Sequence, residues 1–448
     1  MPNRIQYILF LCSLLIAGGC EKYLDKKSNQ NLSVPDNLED LGLILDDGLT
    51  LNNGVVGANA AADEYYLNSN DWEGLDVFNK QTYTWESLTQ DTYDWNQFYR
   101  AIFTVNTVLE NLEKIDRNSD PATWDTYKGS ALFFRAFSYF QLAQVYAPPY
   151  PRNENSEYGL PIRLSSDFNK PVTRSTLRET YDQIFTDLQH SITLLPLKRS
   201  LSTQPSRWAA YAMLARLHLL LENYQQAYDY SDSALGISAT LLDFNTIDGS
   251  QEFPFPRLNS NPEVIFHVMT ESPVNAYYWM AKVDSTLINM FDTEDLRREL
   301  FFTGNGDGSW SFKGNYTNSY YLFNGLATDE IYLTRSEAAI RLNLIPQALD
   351  ALNELLQSRW KKSKYEPVTE SDPEKLLALV LQERRKELIA RGLRWSDLRR
   401  LNRDARFRTT LVRKINGQQY TLAPNDPRYV FLIPQQSINA SSLKQNPR

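Results

Sequence analysis

Residues 205–235 read PSRWAAYAMLARLHLLLENYQQAYDYSDSAL, and this stretch decides the fold class. Pro205 opens a helix running from Arg207 to Leu221, because proline is tolerated at a helix start and not deeper. Asn223 begins a short turn, and a second helix follows from Tyr224 to Leu235. Small residues recur where the two helices must approach: Leu214-Ala215 on the first, Ala227 and Ala234 on the second. That spacing marks a tetratricopeptide-type helix pair, in which alanine lets two backbones come close. Ala338/Ala339 and Ala348 suggest a second, looser copy. One pair cannot bury its own apolar face, so the pairs are expected to stack into a right-handed superhelix.

The same periodicity extends outward in both directions. Trp95, Phe98, Tyr99, Ile102, Val105, Leu109 and Leu112 form a helical stripe. Asp120-Pro121 reads as a cap with proline at the first helical position. The helix behind it is apolar almost all round (Leu132, Phe133, Ala136, Phe137, Tyr139, Phe140, Leu142), so deep burial is expected, and Tyr146-Ala147-Pro148-Pro149 ends it. Thr176 and Glu179 have capping-box spacing ahead of a stripe from Leu177 to Leu195. Further helices are expected over Asp329–Leu342, Pro346–Arg359 and, behind a Ser371/Glu374 capping box, Pro373–Arg391. Val264–Met269 and Tyr429–Ile433 read as short strands, with no large sheet. The fold class is therefore all-α, helix pairs with long loop insertions and at most a few short strands.

Composition narrows the function. The chain has 448 residues, 42% of them apolar, enough for a large core. A formal charge of −8 argues against nucleic acid as a partner. Three histidines and two cysteines leave no multi-ligand Cys/His metal site. The unusual figure is 12% aromatics, including 26 Tyr and 9 Trp.

The N-terminus accounts for both cysteines. Arg4 is followed by an apolar run from Tyr7 to Ala17, then Gly18-Gly19-Cys20. A basic start, a short apolar stretch and small residues make a secretory signal peptide over residues 1–19. The run is too short to cross about 30 Å of hydrocarbon as a helix. Cys12 lies inside it and is discarded. Cys20 sits as in a bacterial lipoprotein signal, a resemblance that implies an acylated cysteine as the first mature residue; the alternative is a secreted protein with a free thiol. Two acyl chains anchor a protein stably. Residues 20–40 read as a polar, lipidated tether, and residues 41–448 as one helical domain with insertions at about 50–94 and 240–325.

Several motifs, taken in order, resemble one family. They are Cys20-Glu21-Lys22-Tyr23-Leu24, Ala62-Asp63-Glu64, Trp95…Tyr99…Asn106 and Arg135-Ala136…Tyr139. Arg174…Tyr181…Ile184…Asp187-Leu188…Leu195-Pro196 and Ala210…Leu214-Ala215-Arg216 follow. The most specific block is Glu383-Arg384-Arg385-Lys386-Glu387-Leu388 with Gly392-Leu393-Arg394-Trp395-Ser396-Asp397-Leu398, and Ile433-Pro434 and Gln445-Asn446-Pro447 close the series. This order resembles the SusD/RagB family of outer-membrane nutrient-binding lipoproteins. The chain departs from it in ending at Pro447-Arg448 without a Gly-aromatic continuation. The resemblance implies a non-catalytic, surface-exposed lipoprotein of the outer membrane, without cofactor, that captures oligosaccharides and passes them to a SusC-like TonB-dependent transporter. A peptide ligand, or a pure protein-interaction scaffold, are the alternatives.

Candidate sites divide by chemistry. Glu383 and Glu387 share a helix face, as an acid/base pair would, but the surrounding arginines point to an ion-pair network instead. His190, His218 and His267 build no triad. Gly304-Asn305-Gly306-Asp307-Gly308 reads as a turn, with a calcium loop through Asp307 as the lesser reading. Aromatics in helical stripes, such as Phe98, Phe133, Phe137 and Phe185, are core. Loop aromatics beside amides and charges suit a sugar, which presents an apolar face and a hydroxyl rim. Three clusters qualify: Tyr65, Tyr66, Asn68, Asn70, Asp71 and Trp72; Asn275, Tyr277, Tyr278 and Trp279; and Trp310, Lys313, Asn315, Tyr316, Asn318, Tyr320 and Tyr321. From these the expected ligand contacts are Tyr66, Asn70, Asp71, Trp72, Tyr278, Trp279, Trp310, Tyr316 and Tyr320.

Overall fold

Long helices form where an apolar stripe coincides with a cap. A computed structural model describes residues 35–86, 93–150, 155–270, 280–441 and 443–448. Its main helices are α1 (Leu38–Leu45), α2 (Tyr93–Leu112), α3 (Pro121–Tyr146), α4 (Leu177–Leu194), α5 (Arg207–Leu220), α6 (Tyr224–Ile237), α7 (Thr328–Arg341), α8 (Ile345–Gln357), α9 (Pro373–Glu387) and α10 (Arg394–Leu401). Asp120 caps α3 by accepting from Thr123 N at 3.1 Å. The Thr176/Glu179 box opens α4 with both reciprocal bonds, 3.1 and 2.7 Å. For α5 the cap is Ser206, and for α9 it is Asp372 rather than Ser371. Asp372 stands directly before Pro373 and accepts from the N–H groups of Glu374 and Lys375, which leaves Ser371 outside the helix. Asn37 caps α1, so helix begins within the stretch expected as tether.

Successive helices pack side by side: α2 on α3, α3 on α4, α4 on α5, α5 on α6, α6 on α7, and α7 on both α8 and α9. The alanines singled out by their spacing lie inside this packing, with Ala215, Ala227, Ala234, Ala338, Ala339 and Ala348 all fully buried. The three largest apolar clusters divide the interior: the first runs through α1–α6, another fills α7–α9, and a third, rich in phenylalanine, gathers residues from 244–327 with Ile389 added.

Strands are short and local. They are β1 (Tyr65–Tyr66), β2 (Val264–Phe266), β3 (Met269–Thr270), β4 (Lys282–Val283), β5 (Phe302–Gly304), β6 (Trp310–Phe312), β7 (Leu322–Phe323), β8 (Leu326–Ala327), β9 (Leu411–Ile415) and β10 (Gln418–Leu422). They pair antiparallel as β1–β4, β2–β8, β3–β7, β5–β6 and β9–β10. The last is a hairpin turned by Asn416-Gly417, both at positive φ, as a two-residue turn between twisted strands requires. Tyr429–Ile433 is not a strand; a 3₁₀ turn over Pro427–Tyr429 precedes irregular chain that seats Tyr429 and Phe431 against Trp395.

The charged C-terminal block is a buried network. Arg297 binds Asp295, Glu383 and Glu387, and Arg359 binds Glu387 and Glu263. Asp397 takes Arg384 and Arg400, and Glu337 takes Arg400. Among the described residues, no helix is long and apolar enough to cross a membrane.

Candidate ligand-binding surface

The first candidate cluster is built on a buried base. Asp63 accepts from Arg394 at 2.6 and 2.9 Å and from Arg385 at 3.3 Å. Beside it, the Arg413 guanidinium lies 3.7 Å from the Tyr83 ring centre and donates to Tyr83 O at 2.6 Å and to Ala62 O. Alternation along β1 then turns Tyr65 inward and Tyr66 outward, where it is 37% exposed. Tyr66 sits opposite Lys282 in the β1–β4 register. Partial burial, then the carboxylates of Asp307 and Asp284, hold the Tyr66 phenol above its ordinary pKa. An exposed ring thus has a cation and two carboxylates around it.

Asn70, Asp71 and Trp72 share the short helix Ser69–Glu73. Asp71 is engaged locally: its N–H donates to Asn68 Oδ1 at 2.8 Å and its carboxylate accepts from Asn68 Nδ2 at 2.6 Å. Trp72 is half-buried against a small apolar cluster that includes Leu67, Leu75 and Ala281, with Lys80 5.3 Å from its ring centre. Asn70 is exposed.

The third cluster splits. Tyr320 is 47% exposed and stacks on Tyr321, ring centres 4.6 Å apart. Asn318 donates to Phe253 O and Phe255 O, both at 2.8 Å, and accepts from Arg257 at 3.2 Å, which holds that loop. Trp310 is half-buried on β6 beneath Arg298, 5.4 Å from its ring centre. Tyr316 is only 1% exposed. Its hydroxyl donates toward Glu263 at 2.9 Å and Asp329 at 3.2 Å, and Arg391 stacks on its ring. Tyr316 is therefore a core residue and leaves the set of ligand contacts, because a loop position in sequence lies beneath the loop in space. Lys313 and Asn315 are likewise buried. Asp307 accepts from the N–H and Oγ of Ser309 at 2.9 and 2.6 Å in the β5–β6 turn.

Tyr278 and Trp279, with Asn275 and Tyr277, lie outside the described residues, as does Cys20. Their neighbours in sequence tie the other clusters together. Thr270 pairs with Leu322 next to Tyr320–Tyr321, and Lys282 pairs with Tyr66. Lys282, Asp284 and Arg257 carry no local sequence signal, since only strand pairing across more than 200 residues brings Lys282 to Tyr66.

Glu64, buried beneath this surface, gives a pH test. Burial first, and the Asp63 carboxylate second, push its pKa up to about 7 from an ordinary 4.5. A raised carboxyl favours the fold below the unfolded value, and that contribution is lost as pH climbs from about 4.5 to about 7. Glu64→Gln keeps the acceptor for Ala390 N–H, bonded at 3.2 Å, without the charge. At pH 8 the variant is expected to be more stable than the parent by about 1–3 kcal/mol, and at pH 4 equal to it, by urea unfolding at both pH values.

A family described as starch-binding and associating with the outer membrane matches residues 22–219, and the SusD family matches residues 328–448. The chain belongs to the SusD/RagB family. The SusD-like protein P38 of Formosa agariphila is 22% identical over 377 residues, 69% of this chain and 72% of that one. A SusD superfamily structure from Bacteroides thetaiotaomicron superposes with a TM-score of 0.74 at 22% identity, covering 92% of this chain and 100% of the other. A putative sugar binding protein from Bacteroides vulgatus gives the same TM-score at 21% identity, covering 93% and 99%. The SusD/RagB family is one of binding proteins associated with the outer membrane, with a carbohydrate-binding role. The Glu383/Glu387 pair fits that role, since both carboxylates are spent on arginine and lysine partners.

Proposed function

We propose that this SusD/RagB protein captures an oligosaccharide at the cell surface, on the face carrying Tyr66 and the Tyr320–Tyr321 pair, and delivers it to a SusC-like TonB-dependent transporter. The observation that supports this reading is an exposed ring at Tyr66 bordered by Lys282, Asp284 and Asp307. The ring offers a platform to the C–H face of a sugar, and the charged groups pair with its hydroxyls. Tyr320 adds a second exposed ring. Anchorage through an acylated Cys20 would keep the protein beside the transporter.

Calorimetry against a glycan panel tests the reading. One oligosaccharide is expected to bind saturably, and Tyr66→Ala with Tyr320→Ala is expected to weaken it by about tenfold per ring, 1.4 kcal/mol each. Undiminished binding by the double variant would remove this face as the site. Saturable binding of peptides and of no glycan would replace the ligand class.

A further inference from the structure

Several leucines stand in solvent on one face of the molecule. Leu43 on α1 is 69% exposed, and Leu49 on the short helix Gly48–Leu51 is 82% exposed. Leu197, Leu201 and Leu258 are exposed as well. Hydrogen bonds hold their three segments side by side. Gln204 Nε2 donates to Asp46 Oδ1 at 2.8 Å, Asn52 Nδ2 to Thr203 O at 2.9 Å, and Ser202 N to Asn259 Oδ1 at 2.8 Å. A single exposed leucine is ordinary, whereas several gathered on one face mark a surface that another molecule covers.

Charge divides this face into two halves. Glu39, Leu43, Asp46 and Asp47 recur three or four residues apart and are all exposed, which sets a leucine among carboxylates on the outer side of α1 and the turn after it. No Lys, Arg or His occurs between Ser28 and Asn79, so the segment supplies no cation of its own. Across the Asp46–Gln204 bond the sign reverses, with Lys198 and Arg199 standing between Leu197 and Leu201. Gln204 joins the halves: its Oε1 accepts from Arg199 Nε at 3.2 Å while its Nε2 serves Asp46. Among the described residues, none of Glu39, Asp46, Asp47, Lys198 and Arg199 forms an ion pair. Each half carries the charge that the other lacks.

We infer that this face pairs with a second copy of the chain about a two-fold axis, the leucine-and-carboxylate half of each copy meeting the leucine-and-cation half of the other. A two-fold axis brings unlike halves together twice, because it sets one patch on the second and the second on the first. A partner of a single sign, such as an anionic membrane, would leave one half facing like charge, and this favours a second copy. The inference goes beyond glycan capture, and its readout is mass, which depends on no ligand.

The test is sedimentation equilibrium of the full chain in density-matched detergent, which keeps any acyl chains out of the contact. A reversible monomer–dimer equilibrium is expected, weakened several-fold between about 50 and about 500 mM sodium chloride. Leu43→Ser with Leu49→Ser is expected to weaken it at least tenfold per leucine. Charge reversal gives the sharper result. Glu39→Lys with Asp46→Lys makes both halves basic, and Lys198→Glu with Arg199→Glu makes both acidic. Each of these variants is expected to sediment alone as a monomer, and their equimolar mixture as a dimer, with circular dichroism confirming the fold of every variant. A parent chain that stays monomeric, a dimer untouched by the leucine changes, or reversed variants that fail to associate with each other would overturn the inference. A monomeric chain whose leucines bind vesicles of phosphatidylethanolamine and phosphatidylglycerol would also overturn it, and would give the face to the membrane.

Discussion

Arg359→Met is expected to cost about 3–5 kcal/mol of folding stability, read as a lower urea midpoint at unchanged slope. Arg359 is completely buried, binds both oxygens of Glu263 at 2.9 Å and Glu387 at 2.7 Å, and donates to Leu242 O at 3.1 Å. Methionine fills comparable volume but leaves Glu263 with a buried carboxylate whose cation is gone. The cost arises from that stranded charge, not from a large intrinsic value of the pair, since the desolvation of two ions offsets most of their attraction. Arg406→Met makes the control. Its partner Asp404 lies at 2.7 Å, but Arg406 is well exposed, and such pairs contribute at most about 1 kcal/mol. Equal losses for the two variants would refute the account.

Phe266→Ala is expected to cost a similar amount, about 3–5 kcal/mol, by a different route. Phe266 on β2 is fully buried, with ring centres of Phe133, Phe134 and Phe137 at 4.9, 5.8 and 5.7 Å. These edge-to-face contacts join the insertion to α3, so truncation opens a cavity where the loop region meets the helical frame. Phe266→Leu, which retains most of the volume, is expected to lose much less. If alanine and leucine melt alike, cavity formation is not the cause.

The frame was legible because helices announce themselves locally. Caps at Asp120 and Thr176, stripes repeating every three or four residues, and alanines at 215, 227 and 234 are all short-range signals. The Asn416-Gly417 hairpin was equally local, yet Tyr429–Ile433, more apolar, drew the strand reading; apolarity there reflects packing against Trp395. The candidate surface was legible only in part. Tyr66 and Tyr320 follow from being aromatic and in loops. Tyr316 has the same description and proved buried, because whether a loop residue faces out depends on Glu263 and Asp329 waiting beneath it. The network itself was readable as a charged block, but its hub arginines, Arg297 and Arg359, lie tens of residues upstream and carry no mark of that role.

The floor under Tyr66 has a consequence for the order in which the chain can assemble. Asp63 reaches Arg394 across 331 positions, and Ala62 reaches Arg413 across 351. A nascent chain emerging from its N-terminus therefore carries the 60–66 segment without its supporting partners until nearly the whole polypeptide has appeared. Closing loops of that length is slow, and partly built states expose apolar surface meanwhile. The helical frame can form piecemeal as it emerges, whereas the face that carries Tyr66 is completed last, and a chain truncated before residue 413 would lack it however well its helices had formed.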